Sequence, residues 1–181
     1  MPHIDLLELP YFEGIGAEAL VSFVDLMAPR SYASGTVIVA EGAPGEHPLC
    51  IATRGKLEIT KRTPDGAECR LAELTAPTLF GEIELICGTP AVATVRATTD
   101  VQLFQLTRAQ FEKLAEAHHP ALWRFTLNVA RVACHRLAIA DTMLAGLVGR
   151  EDLAEVRRRV FAELANQSWA TTTGGFKRPK P

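Results

Sequence analysis

The residues that could do chemistry on their own are scattered along the chain. Cys50, Cys69, Cys87 and Cys134 stand far apart, and no CxxC pair exists. No cysteine and histidine share the local spacing that tetrahedral zinc ligation uses. His118 and His119 are adjacent, so on a helix they would point different ways. The cysteines are therefore expected to be small, buried, reduced residues. Ser22, Asp25 and His47 have the types used in nucleophilic catalysis, but no local pattern ties them together. A Walker loop, a GxSxG elbow and an HExxH helix are all missing from the sequence. The expectation is a non-enzyme. One stretch stands apart, FGEIELICGTPAVATVRA from Phe80 to Ala97, whose one cation, Arg96, comes near its end.

The elements that must position this stretch are legible in outline. GIGAEALVSFVDLMAP places Leu20, Phe23, Val24 and Met27 at helical spacing, with Pro29 as the expected stop. From Arg30 to Thr107, short β-branched runs alternate with Gly, Pro and Asp. TVIVAEG, PLCIATRGKLEITKR, ECRLAEL, VATVRATT and VQLFQLT read as strands. TRGK and TPDG read as tight hairpin turns, because glycine supplies the positive φ such turns need. So many short strands predict a compact all-β barrel or sandwich. Thr107 and Gln110 form a capping-box pattern that opens a short helix before Pro120. From Ala121 to Val148, Leu122, Phe125, Val129, Val132, Ala140, Met143 and Leu147 mark one seam of a long helix. Such a seam either covers the chain's own barrel or pairs with a second copy; the length of the helix favours a homodimer.

After Gly149, Leu153, Val156, Val160 and Leu164 set the face of a terminal helix, and the Gly/Pro-rich remainder reads as a flexible tail. The expected division is 1–118 for the β-roll with its N-terminal helix and 119–148 for the long helix. The terminal helix takes 149–166 and the tail 167–181. The net charge of −2 argues against a general nucleic-acid binder. The N-terminus lacks a basic region followed by an apolar run, and no apolar stretch nears the ~18 residues of a membrane span, so a cytoplasmic protein with no membrane contact is expected.

A helix, a run of eight strands, a short helix and a long helix resemble the cyclic-nucleotide-binding domain, over roughly residues 10 to 148. Gly35, Gly42, Gly45, Gly55 and Gly66 sit where that family has turn glycines, and FGEIELICGTPAVATVRA is similar to its phosphate-binding cassette. The resemblance implies an antiparallel β-roll of jelly-roll type followed by a long C-terminal helix. It implies a ligand site at Phe80, Gly81, Glu82, Ile83, Ala91 and Val92. In the family the cassette amides meet a cyclic phosphate, the glutamate accepts from the ribose 2′-hydroxyl, and an arginine pairs with the phosphate. Backbone amides at a helix start and an Arg fork both suit phosphate oxygens. Here Gly81 and Glu82 match, but the arginine position is Ala91 and the next is Val92. Pro77 and Thr78 replace a frequent Gly–Asp.

A lost charge-assisted hydrogen bond is worth about 1.5–3 kcal/mol, and an unpaired buried charge costs about 3–5 kcal/mol. Cyclic-nucleotide affinity should therefore fall by roughly two to four decades. Arg96 matches a residue the family often has in the following strand, and Arg54 and Arg70 lie on other strands. Arg124 and Arg131 on the long helix are the candidate replacement cations, with His135 and Arg136 on the same helix. Glu82 serves either a ligand or its own cassette turn. The segment after the long helix is too short for a helix-turn-helix domain, so DNA is not an expected partner. The reading is a non-enzymatic regulatory module without cofactor, with weak or no cAMP or cGMP binding, dimerising through 121–148 and docking a partner protein. The alternative is a genuine sensor of cAMP, cGMP or another small molecule. A redox or haem sensor with Cys87 as a reactive or ligating thiol is a lesser alternative.

Overall fold

The computed structural model describes residues 9–45 and 47–147, together with Glu155 and Arg158. A 3-10 turn, Pro10–Phe12, precedes helix α1, Ala17–Val24. Eight strands follow, interrupted once by a short helix. They are β1 Ala28–Tyr32, β2 Val37–Val39, β3 Leu49–Arg54, β4 Lys56–Arg62, β5 Glu68–Thr75, β6 Thr78–Phe80, β7 Thr94–Ala97 and β8 Val101–Leu106. Helix α2, Glu82–Cys87, separates β6 from β7. Helices α3, Arg108–Glu116, and α4, Leu122–Leu147, come last.

The strands form two four-stranded antiparallel sheets, ordered β1-β8-β3-β6 and β2-β7-β4-β5. This is the expected β-roll with flanking helices. The inward faces are apolar: Val39, Leu57, Val95 and Ala97 from one sheet meet Cys50, Ala52, Val101 and Leu103 from the other. Removing apolar surface from water contributes about 25 cal/mol per Å², which makes this alternation the main source of stability.

Three local expectations meet different outcomes. TPDG is a hairpin turn between the paired strands β4 and β5, with Gly66 at φ 87° and its N–H donated to the Thr63 carbonyl. TRGK is not a hairpin. β3 and β4 belong to different sheets, and Gly55 at φ 99° turns the chain from one to the other. A Cβ at Gly55 would collide with the Asp100 carbonyl oxygen, so the corner needs glycine for space as well as for φ. Pro29 does not end a helix either. Helix α1 stops at Val24, and Pro29 lies inside β1, opposite Phe104. β1 is a sheet edge, where a residue without an N–H interrupts no ladder.

Thr107 and Gln110 make both bonds of the expected capping box. The chain divides into two compact units, Met1–Val129 and Ala130–Pro181. Within the first, Phe125 packs on Phe12 at 5.5 Å and Phe23 at 4.7 Å between ring centroids, and Val129 is buried. Asn128 Nδ2 donates to the carbonyls of Tyr11 and Glu13 at 3.2 and 2.9 Å. The opening turns of the expected helix seam therefore cover the chain's own core. Within the second unit, Leu137 and Ile139 are exposed. The expected terminal helix and tail lie outside the described residues apart from Glu155 and Arg158. Those two are helical and form an ion pair at 3.0 Å.

Three of the four cysteines depart from the expectation of burial. Cys50 is buried, whereas Cys69, Cys87 and Cys134 are exposed. Cys69 lies on β5, whose residues from Glu68 to Leu71 are all exposed. For Cys69 the small-and-buried rule, which describes an average, fails because this part of the strand turns no face to the core.

Candidate functional site

The cassette is fixed at both ends by glycine. β6 is wholly buried and pairs Phe80 with Cys50 of β3. Gly81 follows at φ 83°, and a Cβ there would stand 2.5 Å from the Pro48 carbonyl oxygen. No other residue fits. Gly88, at φ 67°, ends helix α2 and donates its N–H to the Glu84 carbonyl at 2.9 Å. The Arg108 guanidinium lies so close to Gly88 that a Cβ would strike it. A cation there suits the negative end of the helix.

Two carboxylates stand in the first turn of α2. Glu82 and Glu84 are each only 8 % exposed. Glu84 reaches across the loop, and its Oε1 accepts the Val92 N–H at 2.9 Å. The other backbone groups beside it are also taken. Gly42 donates to the Ala91 carbonyl at 2.8 Å, and Lys61 Nζ donates to the Val92 carbonyl. The Ala91 methyl, 3 % exposed, belongs to the core cluster of Val39, Cys50, Leu57 and Val95. An amide-to-carboxylate bond of this kind is worth about 1.5–3 kcal/mol. A second anion brought to ~4 Å from the carboxylate would be repelled by about 4 kcal/mol at an effective dielectric of 20.

The Cys50 thiol registers this charge. Its pKa is pushed up from 9.0 to about 12, chiefly by burial and further by the negative charge of Glu84. The Gln105 amide, donating to Sγ at 3.8 Å, opposes the rise. Cys50 is thus an inert thiol.

The remaining residues singled out by sequence are dispersed. Phe80 is buried, and Ile83, in the same turn as Glu82, is 44 % exposed. Arg124 packs its guanidinium stem over Gly14 and lies 5.6 Å from the Trp123 ring centroid. Arg131 is exposed on the part of α4 that belongs to the second unit. Arg96 points to the outer face of its sheet and donates to the Gly35 carbonyl at 3.3 Å. A cleft of about 340 Å³ lies on that outer face, lined by Glu41, Lys61, Arg62, Glu68 and Arg96. Lys61 pairs with Glu41 at 3.6 Å, and Glu68 accepts from Thr60 at 2.5 Å.

Sequence reasoning missed four features. Glu84 lies inside the cassette at a position given no role, and Lys61 and Arg108 touch the cassette from positions that no motif marks. The fourth is a Ser22–His119 contact at 3.0 Å. His119 Nδ1 accepts the Ala121 N–H at 3.3 Å, so a neutral ring carries its proton on Nε2 and donates to Ser22. The Ser22 hydroxyl donates its own hydrogen bond to the Ala19 carbonyl at 3.0 Å. That polarity is opposite to the one a serine nucleophile needs. Among the described residues, no group of three or more His, Cys, Asp or Glu could hold a metal, and no helix is long and apolar enough to cross a membrane.

Residues 29–118 match the sequence profile of the cyclic nucleotide-binding domain. This chain carries a cyclic nucleotide-binding domain. Glutaminase 1 of Bradyrhizobium diazoefficiens is 34 % identical over 137 residues, which are 76 % of this chain and 21 % of that protein. The chain thus spans about a fifth of that relative's length. The catabolite activator protein of Thermus thermophilus superposes with a TM-score of 0.68 at 28 % identity, over 77 % of this chain and 63 % of that one. The domain is also similar to the regulatory subunit of a cAMP-independent protein kinase A from Trypanosoma brucei. That match has a TM-score of 0.62 and 25 % identity, over 72 % of this chain and 45 % of that one. The trypanosomal structure is a variant bound to cAMP in its A site. Its changes are glutamate to alanine and then, seven and eight positions later, threonine to arginine and valine to alanine. Glu84, Ala91 and Val92 have this spacing, since 91 is seven and 92 eight beyond 84. The counterpart from Trypanosoma cruzi, bound to guanosine, has a TM-score of 0.62 at 27 % identity, over 72 % of this chain and 44 % of that one.

Proposed function

We propose that the domain is a non-enzymatic regulatory module that binds cAMP and cGMP weakly or not at all and acts through protein contacts. The observation that carries this reading is the Glu84 carboxylate on the Val92 N–H, beside Ala91 where a cation would stand. The cassette keeps its shape, but the Val92 amide, next to the position where the cation is missing, is already taken, and the nearby charge is negative. The spacing shared with the trypanosomal variant supports it, because cAMP accompanies removal of the glutamate and gain of an arginine there. The part of α4 beyond Val129 is the surface through which two copies would associate, with Leu137 and Ile139 exposed on it. Calorimetry of the full chain with cAMP and cGMP tests the ligand claim. No saturation in the micromolar range is expected; micromolar saturation would overturn it.

A second reading is a sensor of an uncharged ligand. The guanosine-bound counterpart favours it, since that ligand lacks the phosphate this cassette cannot neutralise.

A further inference from the structure

A cyclic phosphate is an anion and a hydrogen-bond acceptor. A pocket that holds it must offer N–H donors and positive charge. At its Ala91–Val92 corner this cassette offers the reverse. The Val92 N–H already serves Glu84, the Val92 carbonyl serves Lys61, and Ala91 contributes a methyl. What stands at that corner is a carboxylate, which accepts and is negative. Its field reaches Cys50, which pairs with Phe80 immediately before the cassette.

A nucleoside differs from its 3′,5′-cyclic phosphate at one place. The bridging phosphate is gone, and free 3′ and 5′ hydroxyls take its place. Those hydroxyls are neutral and can donate. We propose that Glu84 is the residue that sets ligand choice, making the cassette select uncharged nucleosides over their cyclic phosphates. A hydroxyl donor meets a carboxylate acceptor where, in a phosphate pocket, an anion would meet donors. The inference rests on the sensor reading above and names its ligand class and selecting residue.

The test uses the full chain, with thermal unfolding and calorimetry in the presence of guanosine, adenosine, cAMP or cGMP. The wild-type chain should be stabilised by a nucleoside and not by the cyclic nucleotides. Glu84→Gln keeps the shape and removes the charge, and should weaken nucleoside binding about tenfold. The triple variant Glu84→Ala, Ala91→Arg, Val92→Ala should reverse the order and prefer the cyclic nucleotide. Should the triple variant fail to fold, Glu84→Gln alone decides, and unchanged nucleoside affinity in it would overturn the inference. A triple variant that still prefers the nucleoside would also overturn it. A wild-type chain that binds neither ligand, while the triple variant binds cAMP, would overturn nucleoside selection and leave the weakened cyclic-nucleotide reading standing. Tight cAMP binding by the wild type would overturn both.

Discussion

The aromatic cluster under the long helix and the cassette at the other element junction are built on opposite principles. Phe12, Phe23 and Phe125 hold α1 and the start of α4 to each other through many weak contacts with no directional requirement. The cassette depends on two glycines for its path and on a few polar atoms for its bonding. Truncating a ring in the first region changes stability and leaves chemistry alone. Exchanging one charged side chain in the second changes what can bind while the fold persists. A domain of this kind can keep its architecture and lose or trade its ligand.

Phe125→Ala should give the largest effect on folding. It removes the ring that touches both other members of the cluster, at a cost of about 3–5 kcal/mol in chemical denaturation. A loss below about 1 kcal/mol would show that the helix start is not anchored there.

The next effect is a pH dependence that belongs to the cassette side. The folded-state pKa of Cys50 is raised, so the unfolded chain releases this proton first. Stability is then fully present below pH 9.0 and falls as pH climbs toward about 12. The whole loss approaches about 4 kcal/mol. Cys50→Ala should flatten that part of the pH profile, and an unchanged slope would contradict the burial argument. The smallest expected effect is at a helix start. Thr107→Ala breaks the capping box on α3 and should cost about 1 kcal/mol by denaturation, without altering any ligand response.

The same contrast explains what could be read in advance. The capping box and the TPDG hairpin are local patterns with local causes, and they were legible. The cassette stretch was legible as a string, and with it the alanine in place of a cation. The TRGK corner was not, because glycine permits a hairpin and a sheet-to-sheet turn alike, and only pairing partners far along the chain decide. β1 was hidden because Pro29 fits inside this strand only at an edge, and edges are a property of the assembled sheet. Glu84 was the largest omission. Its bond to Val92 crosses a loop closed by Gly81 and Gly88, and nothing in the spacing announces it. Lys61 and Arg108 reach the cassette from β4 and α3, so they too needed the tertiary fold.

Amide hydrogen exchange at Val92 tests most directly whether an internal carboxylate stands where a ligand's phosphate would. In the ligand-free wild-type chain the Val92 N–H should exchange slowly, and cAMP should not slow it further. Glu84→Ala should release it. Fast exchange in the free chain, with protection appearing only when cAMP is added, would contradict the account.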